Sequence, residues 1–473
     1  MRKTKIVCTM GPATASDDIL KQLMLKGMNV ARLNFSHGTH ESHLETIERI
    51  KKMRAELNLP VAIMLDTSGP EIRLKDFKDN SVELKYGQEF TLTTDDVMGD
   101  ETRVAITYGS LYRDVRPGST ILIDDGQVEL KVRSVVGHDI ICTVMNGGVI
   151  SNHKGVNVPD VSLGLQFLSE KDRSDIIFGI ENEVDFIAAS FVRCADDVKE
   201  MRFFLKEHHG EDIAIIAKIE NREGIKNIDE IIAAADGIMV ARGDLGVEIP
   251  IREIPAVQKR IIKKVTAAGK IVITATQMLD SMIHNPRPTR AEVTDVANAI
   301  YDGTGAIMLS GETAAGKYPV EAVSTMAEIA EYTESDIDYE KRFRELEVTS
   351  GKVTDAISHA SGLIAIDVSA DAIITVTQSG YTARMISRYK PASLIVGCTP
   401  DIRTYYKLSL VWGVIPMVLE EINDSELLLG TAFNSAIASG YVRVGKTAVL
   451  TAGLPLGMGT HTNMIRVMTA DKA

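Results

Sequence analysis

Cysteine and excess positive charge are both scarce in this chain of 473 residues, and each shortage removes a class of explanation. Four cysteines, Cys8, Cys142, Cys194 and Cys398, lie far apart with no CxxC spacing. They read as buried, reduced thiols rather than as a disulfide frame or a zinc site. The formal net charge of -13 argues against nucleic acid or an anionic membrane surface as a broad electrostatic partner, so any bound phosphate must meet a local positive site. No apolar run reaches transmembrane length, and the stretch before Pro12 is too short for a signal-peptide core. A soluble, cytoplasmic protein is therefore expected, and the sequon at Asn34-Phe35-Ser36 is a chance match.

What is present is length for about three domains by the usual prior. Eight short apolar runs recur with helical segments between them, at 5–10, 30–35, 61–65, 186–192, 213–219, 237–241, 271–275 and 306–309. Runs such as VAIML and IVITA do not alternate, as suits parallel strands covered on both faces. Between them, Ile254, Val257, Ile261 and Val265 keep helical spacing. Eight such units predict a (β/α)8 TIM barrel over 1–69 and 160–340.

From about 70 to 159 the pattern changes. VELKYGQEFTL and ILIDDGQVELKV alternate apolar and polar residues around glycine-containing turns, which predicts an inserted antiparallel β domain. After an acidic helical stretch at 331–347, the segments AIITVT, SLIVGC, VIPMV and TAVLTA alternate with helices such as 381–389. They predict a C-terminal α/β domain over 348–473.

In a barrel of this type the chemistry gathers where the strands end. Here the second run closes on Arg32, Asn34 and Ser36, the third on Asp66 and Thr67, the fifth on Lys218 and Glu220. The sixth closes on Arg242 and Asp244, and the seventh on Thr274 and Thr276. Strand periodicity puts Lys218 and Glu220 on one face, and likewise Arg32, Asn34 and Ser36. A single structural ion pair between Lys218 and Glu220 or Asp244 is the bland alternative, but complementary groups at five strand ends favour a shared purpose. Glu220 and Asp244 can hold a hard divalent cation through oxygen, magnesium or manganese rather than zinc. Lys218 beside them adds the second positive centre that a transferring phosphoryl group requires.

Taken together, RLNFSHG at 32–38, DTSGPEIR at 66–73, KIEN at 218–221, RGDLG at 242–246, ATQML at 275–279 and MLSGETA at 308–314 resemble the pyruvate kinase family, in family order over the whole chain. The resemblance implies a TIM barrel with an inserted small β-barrel lid and a C-terminal α/β domain. It implies phosphoryl transfer from phosphoenolpyruvate to ADP, giving pyruvate and ATP. It further implies Mg2+ or Mn2+ on Glu220 and Asp244, with substrate held by Arg32, Lys218, Gly243, Asp244 and Thr276, and Lys218 and Thr276 as catalytic groups. Thr276 would stand near the enolate carbon, where a proton is delivered, through water or directly. A K+ site is implied at Asn34, Ser36, Asp66 and the Thr67 carbonyl, with Glu71 the residue that goes with potassium dependence. Asn34, His37, Arg73 and Lys154 are the implied nucleotide contacts, although the residues alone give His37 and His284 no acid-base role. The strand-to-helix segment TQSGYT at 377–382 resembles the family's effector loop. Thr377, Ser379, Gly380 and Thr382 are thus expected to meet a sugar phosphate or nucleotide, and a homotetramer is the family's implication.

Two departures from the family pattern stand out. Ser68 occupies a place where lysine is usual, which puts a positive charge near the insert's hinge in doubt, and Gly305 occupies one where aspartate is common. GETAAGKY at 311–318 imitates a phosphate-binding loop but has Tyr318 where a Ser or Thr should bind magnesium, and GLPLGMG at 453–459 reads as turn glycines. Two other functions remain open to the residues: a metal-dependent lyase or aldolase acting on enolates, and a silent metabolite-binding scaffold. Arg73 and Lys154 in the insert weigh against the first. The presence of Lys218, Glu220, Asp244 and Thr276 together weighs against the second.

Overall fold

A computed structural model describes residues 1–346, 351–454 and 461–471. Eight parallel strands close into a barrel: β1 (Lys5–Thr9), β2 (Val30–Asn34), β3 (Ala62–Asp66), β4 (Phe186–Ala189), β5 (Ala214–Ile219), β6 (Gly237–Ala241), β7 (Ile271–Ala275) and β8 (Ala306–Leu309). Each pairs with its sequence neighbour, and β1 closes on β8. The even parity of β2, β3 and β5 turns Val30, Met64 and Ile216 inward, whereas Leu33, Ile63 and Ala217 pack outward under the helices. The expected helical stripe lies on the helix Ile254–Ala267, with Val257, Ile261 and Val265 buried.

The insert leaves the barrel after β3 and returns before the helix Glu170–Glu181. Its strands form a seven-stranded sheet and a two-stranded ribbon. The sheet's two edges meet through a bridge between Leu74 and Ile106, reinforced by Thr107 N donating to Arg73 O at 2.9 Å and Lys75 N to Ala105 O at 2.8 Å. Closing the edges in this way removes unpaired strand surface. One pair departs from the antiparallel expectation: Glu89–Thr93 and Arg103–Ala105 run parallel.

The C-terminal sheet has the order Val414–Val418, Leu394–Thr399, Ala372–Val376, Thr447–Ala452, Met464–Thr469. The first four are the parallel strands foreseen from sequence; the last is an antiparallel edge that its mixed exposure concealed. The expected domain start at 348 and most of the glycine-rich stretch at 453–459 lie outside the described residues. Apolar side chains inside the barrel, Val7, Ile216 and Ile271 among them, belong to one cluster with Ile373, Ile395 and Val414 of this sheet. The C-terminal domain thus seals the floor of the barrel and leaves chemistry to the opposite end. Cys8, Cys142 and Cys398 are free and buried as expected, but Cys194 is half-exposed ahead of the helix Ala195–Glu207. Among the described residues no helix is long and apolar enough to cross a membrane.

Candidate active site

At the C-terminal mouth of the barrel, Lys218 is 8% exposed and Glu220 only 1%. The three N–H directions of the Lys218 amine are all taken: Asp66 Oδ1 at 3.0 Å, Glu220 Oε1 at 2.8 Å and Ser190 Oγ at 2.7 Å. Burial alone would lower this amine, but Asp66 and Glu220 outweigh it and hold it above its usual range. Asp66 is shared, because Arg32 Nε donates to its other oxygen at 2.5 Å while Arg32 Nη1 reaches Thr9 Oγ1 at 3.0 Å. Although burial opposes ionisation, Arg32 and Lys218 keep the Asp66 carboxyl below its normal value.

Glu220 has the opposite balance. Burial raises its carboxyl most, Lys218 pulls it back, Asp244 pushes it up again, and the result is about 7. The Phe191 N–H donates to Glu220 Oε2 at 2.6 Å, from a backbone held at φ 55°. Asp244 follows β6 in the first turn of the helix Arg242–Glu248, so it reaches the mouth from a helix rather than from the strand itself. Thr276 stands just beyond β7 at φ 67°, costly for a β-branched side chain. Its hydroxyl accepts from Gly243 N at 2.7 Å and donates to the Ala275 carbonyl at 2.6 Å. Arg242 braces the turn, bonding the Thr276 carbonyl at 2.7 Å and Asp295 at 2.7 Å.

Ser36 does not project by strand alternation, as its spacing had suggested. Strand β2 ends at Asn34, and Ser36 lies in the following turn, where its N–H donates to Asn34 Oδ1 at 3.2 Å. The Thr67 carbonyl accepts from Ser190 Oγ at 2.7 Å. Arg73 bonds Glu71 and the His153 carbonyl, and Lys154 Nζ lies 2.9 Å from Asp124 Oδ1, so both of these basic groups already face an acceptor. His37 is exposed, and with Arg73, Lys154 and Asp244 it lines one cleft of about 690 Å3 between insert and barrel. The insert touches the barrel across this cleft through Asn157 Nδ2 and Glu248 Oε1, 3.1 Å apart.

Where Ser68 removes an expected lysine, Lys171 from the helix Glu170–Glu181 sets its amine 3.1 Å from Ser68 Oγ, so the hinge keeps a positive charge. At Gly305 an added Cβ would come within 3.1 Å of the Val272 carbonyl, so close strand approach explains the glycine. In the segment 311–318, Glu312 is buried and accepts from Leu279 N and Ser310 N, a structural use. The segment 377–382 lies far off in the C-terminal domain. There Gly380 precedes the seven-residue helix Tyr381–Ser387 at φ 75°, Ser379 is exposed, Thr377 N bonds the Cys398 carbonyl, and Thr382 Oγ1 bonds Thr462 Oγ1 at 2.8 Å.

Residues 1–323 match the model of the pyruvate kinase barrel domain and residues 355–468 that of the pyruvate kinase alpha/beta domain. The chain belongs to the pyruvate kinase family. Pyruvate kinases of Clostridium acetobutylicum and Clostridium perfringens are 50% and 49% identical to it, over 100% and 99% of both chains. That of Geobacillus stearothermophilus is 51% identical over 98% of this chain and 80% of its own. A crystal structure of a pyruvate kinase from Cryptosporidium parvum superposes with a TM-score of 0.94 at 41% identity, covering 99% of this chain and 96% of that one. As a pyruvate kinase family member the chain is a phosphotransferase of glycolysis, acting on phosphoenolpyruvate and ADP, and the family requires a divalent metal and K+.

Sequence reasoning missed Ser190. It lies inside the fourth apolar run, one residue past the end of β4 and on the same parity as Ala188, and that parity was the available signal. The sharing of Asp66 between Arg32 and Lys218 had no local signal, since the partners lie 34 and 152 residues away.

Proposed function

We propose that the mouth of the barrel transfers the phosphoryl group through Lys218, Arg32, Glu220, Asp244, Gly243 and Thr276. One observation carries this reading: a buried amine kept charged by two carboxylates, at the open end of a barrel whose Asp244 also lines the cleft of about 690 Å3 toward the insert. Lys218 faces the phosphoryl oxygens and stabilises their charge as it spreads in the transition state. Arg32, fixed by Asp66 and Thr9, anchors the phosphate end, and the Gly243 N–H and Thr276 hydroxyl exchange their present partners, each other and the Ala275 carbonyl, for the carboxylate end. Thr276 then holds, at Oγ1, the proton relayed through water to the enolate carbon.

The donor set fits a hard divalent cation. Glu220 and Asp244 offer only oxygens, and burial, with Asp244 adding to it, raises Glu220, a penalty on its charge that a cation relieves. Two carboxylates would leave positions on such a cation open to substrate oxygens and water. When bound, the cation supplies Lewis-acid charge to the phosphoryl oxygens. We assign K+ to Asn34, Ser36, Asp66 and the Thr67 carbonyl, all hard oxygen donors. Nucleotide phosphates are assigned to Asn34, His37, Arg73 and Lys154.

We further propose residues 70–159 as a lid over 1–69 with 160–340, and the segment from 348 as an effector domain in which Thr377, Ser379, Gly380 and Thr382 meet a phosphorylated ligand. A cytoplasmic homotetramer completes the reading; the exposed edge strand Met464–Thr469 suits self-association. The test is pyruvate formation from phosphoenolpyruvate and ADP with Mg2+, with and without K+. Lys218→Met should lose about 10^3-fold or more in kcat, and wild type should depend on K+. Turnover that survives in Lys218→Met would overturn the assignment.

A further inference from the structure

Ser190 is a single hydroxyl with three functional neighbours. Its oxygen accepts from Lys218 Nζ at 2.7 Å, its proton goes to the Thr67 carbonyl at 2.7 Å, and Asp66 Oδ1 lies 3.4 Å away as a second acceptor. Its backbone N–H also donates to Thr67 Oγ1 at 3.1 Å, so Ser190 and Thr67 clasp each other twice. The side chain is 2% exposed, and the hinge glycine Gly69 approaches so closely that a Cβ there would lie 2.7 Å from Ser190 Cβ. Nothing in this arrangement leaves the hydroxyl free to turn without loosening either the lysine or the carbonyl.

We infer that Ser190 is a positioning residue that couples the Thr67 carbonyl, and with it the monovalent-cation donors, to the amine of Lys218. The inference rests on the cation and lysine assignments proposed above. Of the three acceptors around the amine, Asp66 and Glu220 are charged and strongly attracting, while Ser190 is neutral and short. When a phosphoryl oxygen claims one N–H, the lysine must yield a carboxylate partner, and Ser190 with Asp66 keeps the amine from following the substrate or swinging toward Glu220. Because the Thr67 carbonyl is both the acceptor for Ser190 and an assigned cation donor, charge on that oxygen is felt at the hydroxyl that orients the lysine. This gives potassium a route to the reaction through the protein, besides any direct charge it brings.

The test uses Ser190→Ala, which keeps the Cβ against Gly69 and removes only the hydroxyl, together with Lys218→Met and the double variant. Thallous ion serves as probe of the cation donors, its binding followed by thallium NMR without substrate. Expected for Ser190→Ala are Tl+ affinity within about threefold of wild type, kcat down by about tenfold or more with KM for phosphoenolpyruvate little changed, and a K+ stimulation ratio at least fivefold smaller, as for a lost hydrogen bond to a charged group. In the Lys218→Met background the same change should cost less than twofold, because its route through the lysine is gone. A K+ stimulation ratio equal to wild type in Ser190→Ala, or full additivity in the double variant, overturns the coupling while leaving the lysine and cation assignments standing. Tl+ binding unchanged in Asp66→Asn overturns the cation assignment, and the coupling with it.

Discussion

Single residues at the barrel mouth are set by a contest between burial and neighbouring charge. Glu220 shows it best: with burial and Asp244 pushing up against Lys218, its carboxyl reaches about 7, so at lower pH it carries a proton that a metal must displace. Mn2+ affinity, followed by electron paramagnetic resonance, should therefore fall about tenfold per pH unit below about 7 and level off above it. Glu220→Gln should bind weakly with no such slope; a wild-type profile equally flat would refute the shift. The residue types were legible in the sequence because each ends an apolar run. Which partner each one takes was not, since Asp66, Arg32 and Lys218 meet only after the barrel closes.

Elements deliver those residues by three different routes. Strand periodicity suffices for Arg32, Asp66 and Lys218, a turn supplies Ser36, and the short helix Arg242–Glu248 supplies Asp244. Sequence alternation could foresee only the first. The link from β3 to the insert rests on Gly69, whose φ of 72° and lack of room beside Ser190 and Phe191 both exclude a side chain. Gly69→Ala should cost about 1–3 kcal/mol of stability, read as a lowered melting temperature, and should depress kcat by disturbing Ser190. A variant as stable and active as wild type would show that the hinge yields easily. The seven-stranded sheet of the insert was legible as hairpins, but its one parallel pair and its edge closure depend on contacts between distant segments.

For the molecule as a whole, the C-terminal domain is built onto the barrel floor. Lys5, on β1, extends into that floor, and its amine donates to the Val414 carbonyl at 2.6 Å. Burial chiefly, with Arg2 adding and Glu334 opposing, lowers this amine from 10.5 to about 7. Between those values the unfolded chain holds a proton that the folded chain has released, so this group's contribution to stability rises with pH from about 7 upward. Thermal unfolding of Lys5→Met should accordingly show a flatter rise from pH 7 to 9 than wild type; parallel profiles would place the proton elsewhere. By itself the sequence determined the eight-unit barrel, the β character of the insert, and the strand-borne polar groups Arg32, Asp66 and Lys218, because side-chain direction in a strand is fixed by a local period of two. Only the tertiary structure decided that Asp66 serves two cations at once, that Ser190 joins Thr67 to Lys218, and that Lys171 stands in beside Ser68, because those pairings depend on distances between strands and helices that no local pattern encodes.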